Sequence, residues 1–184
     1  RHEYIFPKFN ITKNLNSDYS SNGDFNFASS GFRRLYDTNI TENIWINDLT
    51  FNGYPIIDEK GIVSKYEFIV KNVNSEARNS SNYGDDLEKN LMALMSFENK
   101  IPMIKKHKNG KNLLIPKSYI KFSPNKSKSQ INEDRLINVD SIYLLNRIGS
   151  NDTVEGGASL TLGLEYQKFN NLDKEFFNFE IASS

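Results

Sequence analysis

The sequence predicts an all-β fold, an antiparallel up-and-down meander of about eight strands. Three observations predict it. Apolar and polar residues alternate along one segment after another, polar turn-forming residues separate these segments, and only 38% of the residues are hydrophobic although Phe and Tyr number 13 and 9. Alternation with a period of two is typical of a strand with one buried face. A low apolar content rich in aromatics favours such strands over a thick apolar core.

The alternating segments set the expected strands. They lie near residues 4–13, 23–34, 40–51, 61–73, 88–98, 112–122, 157–169 and 174–183. The first places Ile5, Phe9 and Ile11 on one face, although Pro7 among them cannot donate a ladder hydrogen bond. Segment 88–98 is rich in Leu, Met and Ala, which favour a helix. We nevertheless expect a strand there, because the neighbouring segments are strands.

The clearest alternation lies in residues 157–183, which read as a hairpin with a tight turn at "NNLDK" (170–174). One face of its first strand is apolar and the other is polar or small. The apolar face holds Leu160, Leu162, Leu164 and Tyr166, and the other holds Thr161, Gly163, Glu165 and Gln167. Sequence alternation predicts the two faces without showing what covers either of them.

The connections are asymmetric. Residues 74–86 and 123–155 are long and polar, and two strand segments separate them, so in a meander both lie on one side of the sheet. The turns near Asn52, Lys106 and Asn171 then lie on the other side. Long loops on one side and short turns on the other are typical of a transmembrane barrel.

Strand length supports the same interpretation, because about ten residues per segment suit a tilted spanning strand. We therefore expect residues 1–184 to be a single segment of a larger barrel domain. As an excerpt it would form a curved open sheet with two unpaired edges and no compact core. The apolar face would meet lipid and the polar face the lumen, and "SIYLLNR" (141–147) would add a short strand within the larger loop.

Composition excludes several classes of function. The 23 basic and 23 acidic residues balance, so no bulk field attracts nucleic acid, and there is no Cys to hold a metal or a disulfide. His2 and His107 are far apart, and no nucleophile, base and orienting group converge, so we expect no catalytic, cofactor or metal site and no enzyme. The basic run 105–111 fits a solvated turn better than a phosphate site.

Four stretches carry motifs that recur together in a known family. Two are long, "NLLIPKSYIKFSP" (112–124) and "NRIGSNDTVEGGASLTLGLEY" (146–166), and two are shorter, "RHEYIFPKF" (1–9) and "YDTNITE" (36–42). In this order they resemble the LptD family, the lipopolysaccharide-assembly or organic solvent tolerance proteins of the Gram-negative outer membrane. The residues that match the family loop and the strand after it are Asn146, Arg147, Asp152, Glu155, Gly156, Gly157, Gly163, Leu164 and Tyr166. Ile115, Ile148 and Thr153 stand where the family has Glu, an aromatic residue and Arg.

The resemblance implies transport without catalysis. The strands of this chain would form a central section of the wall of a β-barrel that inserts lipopolysaccharide into the outer leaflet of the outer membrane. Its partners would be lipopolysaccharide, an LptE-like lipoprotein inside the barrel, and periplasmic Lpt bridge proteins that meet a domain outside this chain. Arg147, Asp152 and Glu155 either cross-link the outer loop or stand in solvent. The alternative function is a soluble or surface β-sheet binding module, an adhesin or carbohydrate-binding module, with its apolar face packed on a second sheet.

Overall fold

The structure is a computed structural model that describes residues 3–15, 22–36, 39–125, 141–148 and 151–184. These residues form strands, turns and irregular loops, and the predicted all-β class is confirmed. The strands are β1 (Glu3–Asn14), β2 (Gly23–Tyr36), β3 (Thr41–Gly53), β4 (Ile56–Ile57), β5 (Val63–Arg78), β6 (Glu88–Lys100), β7 (Met103–His107), β8 (Gly110–Ser123), β9 (Gly157–Asn170) and β10 (Glu175–Ser183). Across the described ranges, no helix has the length and hydropathy needed to cross a membrane.

The strands form one open antiparallel sheet in chain order. The long strands pair as β1-β2-β3-β5-β6-β8-β9-β10, while the short β4 pairs with β5 and the short β7 with β8. Strands β1 and β10 therefore form the two edges. The predicted meander is confirmed, including the strand at 88–98: β6 pairs with β5 on one side and β8 on the other. Pairing on both sides overrides the helical preference of its Leu, Met and Ala residues.

Two prolines account for the short strands, which the sequence pattern did not predict. Pro55 separates β3 from β4, and Pro102 separates β6 from β7. Proline has no N–H to donate to a ladder, so each long strand stops and resumes beyond it. Both resumed pieces form small hairpins with the following strand, and the basic run 105–111 is the β7–β8 hairpin.

The edge strand β1 departs from its predicted pattern. Its register shifts between Ile5 and Lys8, around Pro7. Ile5 pairs with Arg34, whereas Phe9 pairs with Gly31 and Ile11 with Ser29. Since Arg34 is separated from both Gly31 and Ser29 by an odd number of positions, Ile5 lies on the opposite face from Phe9 and Ile11. The expectation that all three share a face is wrong, because an extra residue in a bulge reverses the alternation.

The connections lie as expected. Because successive strands are antiparallel, the loops after β5 and β8 leave the sheet at one end, the long-loop end, and the turns after β3, β7 and β9 lie at the other, the short-turn end. The two long loops touch, since the Tyr83 hydroxyl donates to Asp152 at 3.1 Å. The extra strand expected at 141–147 is absent from the described residues, which form turns there. Tyr143 instead packs edge-on against Tyr119, 6.2 Å between ring centroids.

The two faces of the sheet differ. The covered face carries Lys71, Val73 and Ser75, which are buried, and residues 141–148 and 151–156, the cover segment, lie on it. The open face carries exposed side chains such as Phe97 and Leu162. Apart from the Lys111–Asp173 pair at the β9–β10 turn, the ion pairs within the described residues belong to the covered face and its cover segment.

Strand ends are staggered along the sheet. One cross-strand row starts at Asn52, at the short-turn end of β3, and passes through Glu67, Ser96 and Lys121 to Ser159, at the long-loop end of β9. A row of paired residues thus crosses from one end of the sheet to the other within five long strands. Such a stagger is the property that lets a sheet close into a barrel with tilted strands.

Candidate functional site

An ion-pair triad anchors the cover segment to the sheet. The Arg147 guanidinium donates to both carboxylate oxygens of Glu155, with Nε 2.9 Å from Oε2 and 3.1 Å from Oε1. Lys121 of β8 donates to Glu155 Oε2 at 2.7 Å, and its side chain is only 3% exposed. A two-pronged guanidinium–carboxylate contact is among the stronger ion pairs. The loop is therefore fixed to the strand that precedes it.

Asn146 braces the same loop from within. Its side-chain oxygen accepts from the backbone N–H of Ile148 at 3.3 Å and of Glu155 at 3.1 Å, and its amide donates to the Thr153 carbonyl at 3.3 Å. These bonds join the outgoing and returning parts of the cover segment. Asn146 therefore holds Glu155 and Arg147 in position to meet.

Two further contacts tie the cover segment to more distant strands. Lys71 of β5 donates to Asp48 of β3 and to the backbone carbonyl of Asn151, at 2.7 and 2.8 Å. Asp152 accepts from Tyr83 in the other long loop. Because Lys71 is almost fully buried, its ammonium depends on these acceptors for the hydrogen bonds it has lost to water.

A small apolar cluster lies where the cover segment meets the sheet. Ile142, Ile148 and Val154 of the cover segment are buried, as are Val73 and Leu94 on the covered face. The expectation of a sheet without a compact core is wrong at this place. Thr153 of the cover segment is buried as well.

The electrostatics favour a locked loop at neutral pH. Burial alone would raise the pKa of Glu155, but the hydrogen bonds from Arg147 and Lys121 outweigh it and lower the pKa to about 2. The same contact with Glu155 raises the pKa of Arg147. Burial and the nearby Asp152 carboxylate raise the pKa of Tyr83, so this hydroxyl keeps its proton and acts as a donor.

Two glycines connect the cover segment to β9. Gly156 and Gly157 follow Glu155 directly, and Gly157 has a φ of +87°, which side-chain-bearing residues rarely adopt. Further along, a Cβ at Gly163 would collide with the Tyr143 hydroxyl. Tyr143 therefore lies directly over Gly163, and this glycine leaves the room that the cover segment occupies.

The residues of the β9–β10 hairpin lie on the two faces that the alternation predicts. Leu160 and Leu162 are exposed on the open face, at 53% and 56%, and Leu164 and Tyr166 are half-buried on the same face. On the covered face, Glu165 accepts an ion pair from Lys117 at 2.5 Å, and Lys117 also reaches Glu180 at 2.7 Å. Thr161 was expected to face an aqueous lumen and is fully buried, because the cover segment lies over it.

A polar ladder interrupts the open face at the middle of β2 and β3. Trp45 Nε1 donates to the Ser29 hydroxyl at 2.9 Å, and Ser29 donates to Asn47 at 2.8 Å. Asn47 and Asn74 both donate to the side-chain oxygen of Asn72, at 3.3 and 2.7 Å. These side chains supply one another's hydrogen bonds across β2, β3 and β5. Aromatic rings lie between the polar ladder and the short-turn end, where Phe51 stacks on Phe68, with 5.2 Å between centroids.

The contacts of this site are those of a structural clamp, in which Lys121 and Arg147 both bond Glu155 and Lys71 bonds Asp48. His107 is exposed in the β7–β8 hairpin, remote from the cover segment. Across the described ranges, no group of three or more His, Asp or Glu side chains could hold a metal ion.

The sequence analysis did not identify the residues outside the cover segment that contribute to this site. Lys71, Lys121 and Tyr83 were not singled out, although they meet Asn151, Glu155 and Asp152. The available signal was a lysine at an inward position of an alternating strand, which needs an acceptor when something covers it. Sequence spacing does not show which loop supplies that acceptor, 34 residues away for Lys121 and 80 for Lys71.

Comparison with known proteins adds no relative: no protein-family model matches the chain, and no curated protein sequence matches it.

Proposed function

We propose that this chain is a section of the wall of an outer-membrane β-barrel that inserts lipopolysaccharide into the outer leaflet, as the resemblance to LptD implies. The observation that carries the barrel part is the contrast between the two faces of a single open sheet. One face exposes Trp45, Phe97 and Leu162, and the other carries ion pairs under a clamped loop. Lipid outside and a polar lumen inside account for both faces.

The staggered rows and the open edges support the same proposal. A sheet whose paired rows run from one end to the other has the shear that barrel closure needs. Strands β1 and β10 leave ladder groups for further strands of a larger barrel. The long-loop end then faces outward from the cell, and the cover segment folds from that end into the lumen.

Lipopolysaccharide as the cargo rests on the family-like motifs. In this proposal the ion-paired lumen wall faces an LptE-like lipoprotein, and the periplasmic bridge proteins reach the barrel through a domain outside this chain. Asn146, Arg147, Asp152 and Glu155 act as structural residues that keep the cover segment off the path of the cargo.

The alternative function, a soluble or surface binding module, needs a second layer over the open face. Leu160, Leu162, Phe177 and Phe179 would pack there, and all of them are exposed. An exposed apolar surface of this extent in a water-soluble protein is an aggregation hazard. A lipid environment removes that hazard, which is why we favour the barrel.

One pair of substitutions tests the barrel. Leu162→Arg puts a charge on the open face and costs on the order of 2–4 kcal/mol near the bilayer midplane. Gln167→Arg puts the same charge on the same strand but on the covered face, outside the cover segment, and costs little. In the complete protein, heat-modifiable gel migration should show poor assembly for the first and normal assembly for the second. Equal assembly of the two variants would refute the lipid-facing assignment.

The cargo has its own test. Cells depleted of the complete protein should stop delivering newly made lipopolysaccharide to the surface, and re-expression should restore delivery. Normal delivery in depleted cells would refute the transport function and leave the barrel intact.

A further inference from the structure

The basic run of the β7–β8 hairpin divides its lysines between the two faces of the sheet. Cross-strand pairing places Lys105, Asn112 and Lys168 in one row, which we call the basic row. Lys168 continues the alternation of the exposed leucines of β9, so this row lies on the open face. Lys106 and Lys111 pair one position nearer the turn, and their row therefore lies on the covered face.

The lysines of the basic row have no counter-charge on their own face. Lys111 on the covered face lies 2.9 Å from the Asp173 carboxylate, and Glu175 belongs to the same covered row. Neither Lys105 nor Lys168 forms an ion pair with any residue that the structure describes. Among the paired residues of β7, β8, β9 and β10, all of which are described, no open-face position carries Asp or Glu. This end of the open face is therefore purely basic.

An apolar row lies directly beside the basic row, toward the middle of the sheet. Its members pair across four strands and are Met103, Leu114, Tyr166 and Phe179. The Lys168 ammonium lies 5.7 Å from the centre of the Tyr166 ring and 5.6 Å from that of Phe177, within range of a cation–π interaction. Lysine beside aromatic rings at the end of an apolar surface is typical of the boundary between hydrocarbon and headgroups.

The basic row presents donors to a single phosphate group. Lys105 and Lys168 are two strands apart, about 10 Å at the backbone, and Asn112 stands between them. Two long lysine side chains can therefore reach one phosphate above the Asn112 amide, which is a third donor. Because two positive charges stand here without a carboxylate, the row favours a lipid of net negative charge over a zwitterionic one.

We propose that the basic row binds the phosphate of an anionic phospholipid in the inner leaflet of the membrane, with an acyl chain lying along the apolar row past Leu114 and Tyr166. The inference rests on the proposed function, because it needs the open face to meet lipid and the short-turn end to face inward. The ligand is a component of the surrounding bilayer, chemically distinct from the cargo. Its binding fixes the depth at which the β7–β8 hairpin stands in the membrane.

Photocrosslinking in the complete protein tests the site locally. A photoreactive phenylalanine analogue replaces Leu114, and the protein is reconstituted in phosphatidylcholine vesicles that contain a small fraction of phosphatidylglycerol. The phosphatidylglycerol adduct should exceed the share of that lipid in the vesicle. Lys105→Gln with Lys168→Gln should lower this adduct by on the order of tenfold and leave the phosphatidylcholine adduct in place. Lys106→Gln with Lys111→Gln removes the same charge from the other face of this end of the sheet and should leave both adducts unchanged.

Lys105→Arg with Lys168→Arg keeps both charges and should keep the preference for phosphatidylglycerol. Adducts in proportion to the lipid mixture, an equal fall in the covered-face control, or loss of the preference in the arginine variant would each overturn the inference. If the double glutamine variant fails to assemble, each single variant should lower the adduct by on the order of threefold.

The phosphatidylcholine adduct and heat-modifiable migration separate the two proposals. An assembled barrel that crosslinks to phosphatidylcholine at position 114 without preferring phosphatidylglycerol overturns only the basic row. A protein that forms no barrel, or that crosslinks to neither lipid at this position, overturns the lipid-facing wall as well.

Discussion

Glu155→Gln removes the charge that holds the cover segment while keeping the size of the side chain. In the folded protein Glu155 accepts from Lys121 and Arg147, whose side chains are 3% and 10% exposed. The substitution leaves two buried cations with a neutral acceptor between them. Breaking a buried ion pair in this way costs about 3–5 kcal/mol. We expect the lower part of that range, because Gln still accepts one hydrogen bond.

Hydrogen exchange of the backbone amides in 141–148 and 151–156 measures this cost directly. A loss of about 3 kcal/mol in local opening free energy speeds exchange there by on the order of 100-fold. The amides of β5 and β8 should keep their protection, since their ladders do not depend on the loop. Cleavage by trypsin after Arg147 should accelerate in parallel.

Asp173→Asn is the matched control, because it makes the same chemical change in an exposed ion pair. Asp173 is 76% exposed and lies 2.9 Å from Lys111. Exposed pairs are worth about 0–1 kcal/mol, so exchange at the neighbouring turn should change little. If Glu155→Gln left the cover segment as protected as before, or if the two variants behaved alike, the ion-pair triad would not be what holds the loop.

Three further outcomes follow from the same site. The pKa of Glu155 is lowered from 4.5 to about 2. The ion pairs of Glu155 therefore contribute fully to loop stability above about pH 4.5, and this contribution disappears as the pH falls toward 2. Hydrogen-exchange protection of the cover segment should be constant between pH 5 and pH 7. Thr161→Val should raise the free energy of unfolding by about 1 kcal/mol and so raise the temperature of heat-induced unfolding, because the Thr161 hydroxyl is buried and has no hydrogen-bond partner within the described residues. A lower unfolding temperature would contradict this. Gly163→Ala should displace Tyr143 and speed hydrogen exchange in the cover segment, because the new Cβ meets the Tyr143 hydroxyl. Adding Tyr143→Phe removes that oxygen and should restore part of the protection. If the second substitution restored nothing, the clash would lie elsewhere.

The strands were predictable because their signal is local. Alternation along 112–122 and 157–169 depends only on neighbouring residues, and β8 and β9 fall close to those limits. The errors arose where one residue changed the local rule. Pro7 reverses the alternation within β1, and Pro55 and Pro102 divide strands into two pieces.

The site was only half predictable, for a physical reason. The motif residues Asn146, Arg147 and Glu155 stand close together in sequence, so their association could be proposed from the pattern. The burial of Thr161 and Lys121 depends on where a loop comes to rest, which is set by contacts across many residues. A polar residue on the inward side of a strand therefore reads the same in sequence whether water or a loop covers it.

The strictly sequential order of the strands has a consequence for assembly. Each long strand pairs with the long strands next to it in the chain, so the sheet can grow by adding one hairpin at a time to an edge. Lys71 and Asn151 can meet only after β5, β6 and β8 are side by side. Once the cover segment has closed, its contacts with β5 and β8 therefore report that the strands beneath it have paired in the correct register.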